Sequence, residues 1–178
     1  MTMGQIRYPQ PVKLFFGLLA GTEQLLDSAC ERIEKDFSPI DVTSPVIPFD
    51  QTDYYSQEMG TNLLRQWVSV TKPIAPEELV RIKLYTNSLE RLFAVGENRQ
   101  VNFDPGYVSL SKVVLATTKD HAHRLYIGQG IYEEVTLFFR RGKGFESWPW
   151  TYPDYRLPTS REFFLEVRES LRRELASI

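Results

Sequence analysis

The amino-acid sequence predicts a single-domain α+β fold over residues 1–178. It combines a mixed or antiparallel sheet, a βαββα (ferredoxin-like) first half, a β-hairpin-rich second half and a C-terminal helix. Three observations predict it. Up to about residue 96, extended runs and helical stripes follow the β-α-β-β-α order of a split βαβ unit. Between residues 107 and 148, short alternating stretches are punctuated by Gly and Pro. After Thr159, one apolar stripe recurs at helical spacing.

Residues 12–20 form a largely apolar run that stops at Gly21 and read as a buried strand. Thr22 can cap a helix to about Phe37, with Leu26, Ala29, Cys30 and Ile33 in its stripe. Residues 41–49 are extended, and Pro45 and Pro48 confine them to an edge or an irregular strand. Residues 63–72 alternate, with Leu64, Val68 and Val70 on one side. Pro76, Glu77 and Glu78 suit a helix start. That helix runs through Leu79, Ile82, Thr86, Leu89 and Phe93 and stops near Gly96. Asp104-Pro105-Gly106 reads as a turn, and residues 107–117 as one strand. A hairpin is expected from residues 123–128 and 131–140 around Gly128-Gln129-Gly130, then a short strand at 144–148. Thr159 and Glu162 have capping-box spacing ahead of Phe163, Phe164, Val167, Leu171 and Leu175.

A chain of 178 residues, 42% hydrophobic and 25% charged, can bury a core without covalent staples. The single Cys30 has no partner for an intramolecular disulfide, and the first apolar run is too short to span a bilayer. A cytoplasmic protein without a membrane segment is therefore expected. The net charge of −2 argues against general nucleic-acid binding. Charge is nevertheless uneven. Residues 20–60 carry nine acidic and two basic side chains, whereas residues 112–143 carry six basic and three acidic ones. A local basic patch on a near-neutral protein suits a small anionic ligand.

Residues 102–156 hold both histidines and two of the three tryptophans. Lys112 and Glu133 interrupt faces that alternation would make apolar, and a charge there must be paired or hydrogen-bonded. They form a structural ion pair, or the strand face is wetter than the pattern suggests, or they are an anion-binding lysine beside an acid/base. His121 and His123 share a face if the chain is extended. A three-residue hairpin loop would bring His123 to Glu133, and a two-residue loop to Glu134. General acid/base work, a metal site and a purely structural role all stay open for His123. The run from Trp148 to Tyr155 can form a stiff aromatic wall or a loop that closes the core. Phosphate-loop, dinucleotide-fingerprint, nucleophile-elbow and paired-cysteine patterns are all absent.

Four motifs stand in order: D-Y-Y-x-x-E-M-G from Asp53, N-x-D-P-G-Y from Asn102, K-D-x-x-H-R-x-Y-x-G-x-G-I-Y-x-E-V-T-L from Lys119, and P-W-T-Y-P-D-Y from Pro149. Together they resemble the domain-of-unknown-function family DUF4416, a prokaryotic family of single-domain proteins of about this length. Members of that family are sometimes labelled GTP-binding, a label that the missing phosphate loop does not support. The resemblance implies candidate positions at Asp53, Glu58, Asp104, Lys112 and Lys119, and at His123, Arg124, Glu133 and Asp154, with no role attached to any of them.

The leading expectation is a pocket for a small anionic ligand, nucleotide-like or phosphorylated. Lys112, Lys119 and Arg124 would bind the anion, and Trp150 and Tyr152 would form a wall, with Asp104 and Asp154 beside them. The alternatives are a hydrolase or group-transfer enzyme using His123 and Glu133, with or without a metal, and an interaction module built on the Trp/Pro/Tyr loop.

Overall fold

The computed structural model describes residues 4–51 and 53–177. Its strands are β1 (Lys13–Ala20), β2 (Ile40–Thr43), β3 (Ile47–Phe49), β4 (Leu63–Val70), β5 (Val101–Val108), β6 (Lys112–Thr117), β7 (Leu125–Gly128), β8 (Ile131–Arg140) and β9 (Gly144–Ser147). The helices are α1 (Glu23–Asp36), α2 (Ser56–Met59), α3 (Leu79–Leu92) and α4 (Pro158–Ala176). Among the described residues no helix is long and apolar enough to cross a membrane.

The strands form one antiparallel sheet in the order β2-β4-β1-β5-β6-β8-β7, with β3 also on β4 and β9 also on β8. Two antiparallel steps separate β1 from β2 and β4 from β5, so each pair is parallel with a strand inserted between its members. These are the split βαβ units of a ferredoxin-like core, closed by α1 and α3. β6, β8, β7 and β9 extend the sheet beyond β5, while β3 lies along β4 at the other side.

β1 is buried along its whole length because alternate residues feed two different layers. Leu14, Phe16 and Leu18 face α1 and α3, together with Val68, Phe103 and Val114. On the other side, Phe15 joins Trp67, Val113 and Leu137 beneath Phe163, Phe164 and Val167 of α4. The exception is Lys13, fully buried in β1, whose ammonium pairs with Asp41 at 2.7 Å and Glu174 at 2.5 Å and ties β2 and α4 to the sheet. Thr22 caps α1 as expected, accepting from the Leu25 amide at 3.2 Å. Cys30 is half-buried rather than sealed, and burial pushes its thiol up to about 11, which keeps it protonated and unreactive.

Three local expectations are corrected. Asp104-Pro105-Gly106 is not a turn but the middle of β5. Gly106 is there for a close approach: a Cβ would lie 2.3 Å from the Val114 carbonyl oxygen and 2.6 Å from the Phe15 ring. The expected strand over 107–117 is two strands, because Ser109 turns the chain by accepting from the Ser111 and Lys112 amides at 3.2 and 3.1 Å. The capping box at Thr159 does not form; α4 begins at Pro158, whose missing N–H suits the first turn.

One feature of the sheet creates the site. β5 and β6 pair only from Gly106 to Val108 on β5. Pro105 brings no N–H to the ladder, and from there the two strands diverge. The early half of β5 and the end of β6 then face each other across a cavity, with α3 side chains reaching in from one side.

Candidate functional site

The cavity has a volume of about 830 Å³. Its floor is Arg65 of β4, which stands between Leu63 and Trp67 on the α4 side of the sheet and is 4% exposed. The guanidinium lies 5.0 Å above the Phe49 ring. Its Nε is 3.0 Å from Asp154 Oδ2 and its Nη1 is 3.5 Å from Asp104 Oδ2, but neither contact is aligned as a hydrogen bond. Trp67 Nε1, Tyr155 OH and Asp154 Oδ2 are likewise buried without a hydrogen-bond partner. These groups converge above Gly17, where a Cβ would meet Tyr155 OH at 2.9 Å, Arg65 Nη1 at 3.2 Å and Trp67 Nε1 at 3.4 Å. A bare backbone at residue 17 leaves room for that polar cluster.

Burial opposes the charge on Arg65, yet Asp154, Tyr155 and Asp104 outweigh it and raise its pKa above the ordinary value. Burial lifts the Asp154 carboxyl above the usual range; Arg65 opposes the shift and Asp104 adds to it.

One wall is built by α3 and β5. Lys83, 6% exposed, donates to the Phe103 carbonyl at 3.2 Å and sits 3.9 Å from Asp104 Oδ1. Asn102 donates to Asp104 at 2.7 Å and accepts from Arg99 at 2.8 Å. Arg99 also binds Glu90 at 2.8 Å and Glu58 at 2.7 Å, clasping α3 to the 53–60 segment. Glu90 is raised by burial, with Lys83 opposing, and it accepts from the Phe103 amide at 2.8 Å. Across the mouth, the Lys119 ammonium stands 3.7 Å from the centre of the Tyr54 ring, so the 53–60 segment is held from both sides.

The opposite wall rests on Glu134, which is 3% exposed. Its Oε2 accepts from Arg124 Nε at 2.8 Å and meets His123 Nε2 at 3.1 Å; Thr136 donates to Oε1 at 3.3 Å. Arg124 donates further to the Lys119 carbonyl at 3.0 Å and to Tyr152 OH at 2.8 Å. Outside this network, His123 lies almost parallel to Trp150 and His121.

Of the positions nominated from sequence, Glu58, Asp104, Lys119, Tyr152 and Asp154 line the cavity. His123, Arg124 and Trp150 stand behind its wall, with the Arg124 guanidinium committed to protein partners. Asp53 serves the 53–60 segment through its backbone carbonyl, which accepts from Ser56. Lys112 and Glu133 belong elsewhere. They share the sheet face that carries Val114 and Ala116 and do not line the cavity. Among the described residues they form no ion pair, although the Lys112 charge opposes the upward push that burial gives Glu133. Lys112, Lys119 and Arg124 therefore do not converge on one anion. The partner of His123 is Glu134, but loop length does not set it. The loop is the two-residue Gln129-Gly130, a register shift between Tyr126 and Gly128 then places Leu125 opposite Glu133, and His123 reaches Glu134 from the turn that precedes β7.

Arg65, Lys83, Glu90 and Arg99 went unnominated, and Glu134 enters the sequence reading only as an alternative partner for His123. Two carried a readable signal: Arg65 breaks the alternating face Leu63–Trp67, and Lys83 falls in the helical stripe between Leu79 and Thr86. Glu134 is brought to the cavity face by an irregularity in β8, where Val113 pairs with Leu137 but Val114 pairs with Val135. Among the described residues no group of three or more His, Cys, Asp or Glu side chains could hold a metal.

All four sequence motifs reach this cavity, through Tyr55 and Glu58, Asn102 and Asp104, Lys119 and Glu134, and Tyr152 and Asp154. In comparisons with known proteins, the model of one family, described as a domain of unknown function (DUF4416), matches residues 10–171. No curated protein and no solved structure matches the chain.

Proposed function

The chain belongs to the DUF4416 family, whose description names no activity, and from the cavity itself we propose that it binds a small ligand with an acidic head group seated between Lys83 and Arg65. The observation that carries this reading is the unfilled donor capacity of two buried cations. An ammonium has three N–H donors, and Lys83 spends one on Phe103 while its carboxylate neighbour stays at 3.9 Å. Arg65 has two nitrogens without an aligned acceptor. Buried donors of this kind are costly unless an acceptor completes them. A carboxylate or a phosphate monoester supplies oxygens that do so.

The charge balance limits the head group. Five basic side chains line the cavity (Arg65, Lys83, Arg91, Arg99 and Lys119) against six acidic ones (Glu58, Glu90, Glu97, Asp104, Glu134 and Asp154). A lining with no positive excess matches one or two negative charges better than a polyphosphate. Its volume lies within the roughly 300–1,000 Å³ usual for small-molecule sites.

A thermal-shift panel of inorganic phosphate, ribose 5-phosphate and neutral ribose tests the reading. At about 100 times the dissociation constant a ligand adds roughly 2.7 kcal/mol, or about 5–10 °C for a domain of this size. The phosphates are expected to stabilise the chain and ribose is not; stabilisation by ribose alone would contradict the reading. The hydrolytic or group-transfer reading expected of His123 and Glu133 finds less support: neither residue lines the cavity, and the Glu134 that holds His123 is itself engaged by three partners.

A further inference from the structure

Resting on the reading of the cavity as a ligand site, we infer that its ligand carries a planar aromatic ring beside the acidic head group, and that His121 is the platform on which the ring stacks. Four rings form a column leading to the cavity. Trp148 and Trp150 lie 5.2 Å apart and 8° from parallel. Trp150 and His123 follow at 5.3 Å and 16°, then His123 and His121 at 6.0 Å and 4°. These separations belong to offset stacking. Of the four, only His121 lines the cavity.

The column is fixed from behind. Trp150 Nε1 donates to the Val135 carbonyl at 3.1 Å, His123 Nε2 is held by Glu134 at 3.1 Å, and Trp148 leans on Phe138 at 4.4 Å. A row of aromatic groups locked by backbone and carboxylate contacts is a preorganised surface, so a further ring can join it at little ordering cost. The outer face of His121 meets no other ring among the described residues, and the residue is exposed at the cavity rim. A structural column that only closed the core would end against apolar side chains; this one ends at a polar, exposed imidazole. The chemistry that completes it is a flat π-system of nucleobase type, and the acidic floor partner makes the ligand class a nucleoside monophosphate or an aromatic acid of similar length.

The test compares adenosine 5′-monophosphate with ribose 5-phosphate by calorimetric titration of the full chain, in wild type, His121→Ala and His121→Phe. Stacking of one base on an aromatic side chain contributes on the order of 1–3 kcal/mol, so wild type should prefer the nucleotide by roughly 5–150-fold. His121→Ala should abolish that preference and His121→Phe should restore it, while quenching of Trp150 emission by the nucleotide should follow the same order. Equal affinities in wild type, or a preference that survives His121→Ala, would overturn the stacking inference and leave the acidic-ligand reading standing. Failure of both phosphates to bind would overturn both.

Discussion

Replacing Arg65 by methionine removes the floor charge while keeping most of the side-chain volume over Phe49 and Trp67. The cost follows from what is left behind. Asp154 is 3% exposed, and its nearest cation is the Arg65 guanidinium at 3.0 Å. Breaking one side of a buried ion pair costs about 3–5 kcal/mol, because the surviving charge is stranded. For a domain of this length that corresponds to roughly 6–20 °C in Tm. The loss must depend on pH. Burial and Asp104 already raise the Asp154 pKa, and Arg65 is the group that restrains it. Without Arg65 the folded-state pKa climbs further, and a carboxyl raised above its unfolded value loses stability as pH rises through its folded pKa. The destabilisation should therefore be larger at pH 8 than at pH 5. The double variant Arg65→Met/Asp154→Asn, which strands no charge at residue 154, should recover much of it. Urea unfolding followed by the emission of the buried Trp67 measures all three proteins. A loss below about 1 kcal/mol with no pH dependence would refute the argument that this pair is a buried, mutually dependent charge.

Two further outcomes follow from single residues. Gly17→Ala should destabilise by about 1–3 kcal/mol through overpacking, since the new Cβ meets Tyr155 OH at 2.9 Å and Tyr155 is wedged against Trp67 and Phe164; a neutral or stabilising result in chemical denaturation would dispose of the crowded polar nook. Glu133→Gln should raise Tm above neutral pH, because burial raises the Glu133 pKa and the charged form is the costly one. That gain should shrink as pH falls through the raised folded-state pKa and be essentially gone below about 4.3, the ordinary glutamate value, where Glu133 is protonated in both states; a gain independent of pH would show that charge is not its cause.

Much of the fold was legible where one local signal dominated. The apolar run of β1, the Thr22 cap and the Gly128–Gly130 hairpin form as their residues suggest. The misreadings share a physical origin: the same residues serve two purposes. Pro105-Gly106 has turn chemistry, but here proline accompanies the end of a ladder and glycine admits Val114 and Phe15. Ser109 holds a tight turn through side-chain acceptance, which no Gly or Pro announces, so alternation runs through it in the sequence and Lys112 reads as mid-strand although it begins β6. The candidate site was half legible for a related reason. Asp104, Asp154, Glu58 and Lys119 lie in distinctive motifs. Arg65 and Lys83 lie inside otherwise apolar patterns, where they register as interruptions only when the polar members of a face are counted as carefully as the apolar ones. Glu134 depends on a register shift in β8, which strict period-two alternation cannot contain.

The most direct test of the central claim is calorimetric titration of ribose 5-phosphate into wild type and Lys83→Met. Methionine keeps the length of the lysine stem and removes the ammonium, and Asp104 retains Asn102 at 2.7 Å and Arg65 at 3.5 Å, so the fold is expected to survive. A hydrogen bond to a charged group contributes roughly 1.5–3 kcal/mol, which predicts saturable one-to-one binding in wild type, weakened about 10–100-fold in the variant. Binding of equal strength to both proteins would contradict the assignment of the acidic head group to the Lys83–Arg65 floor.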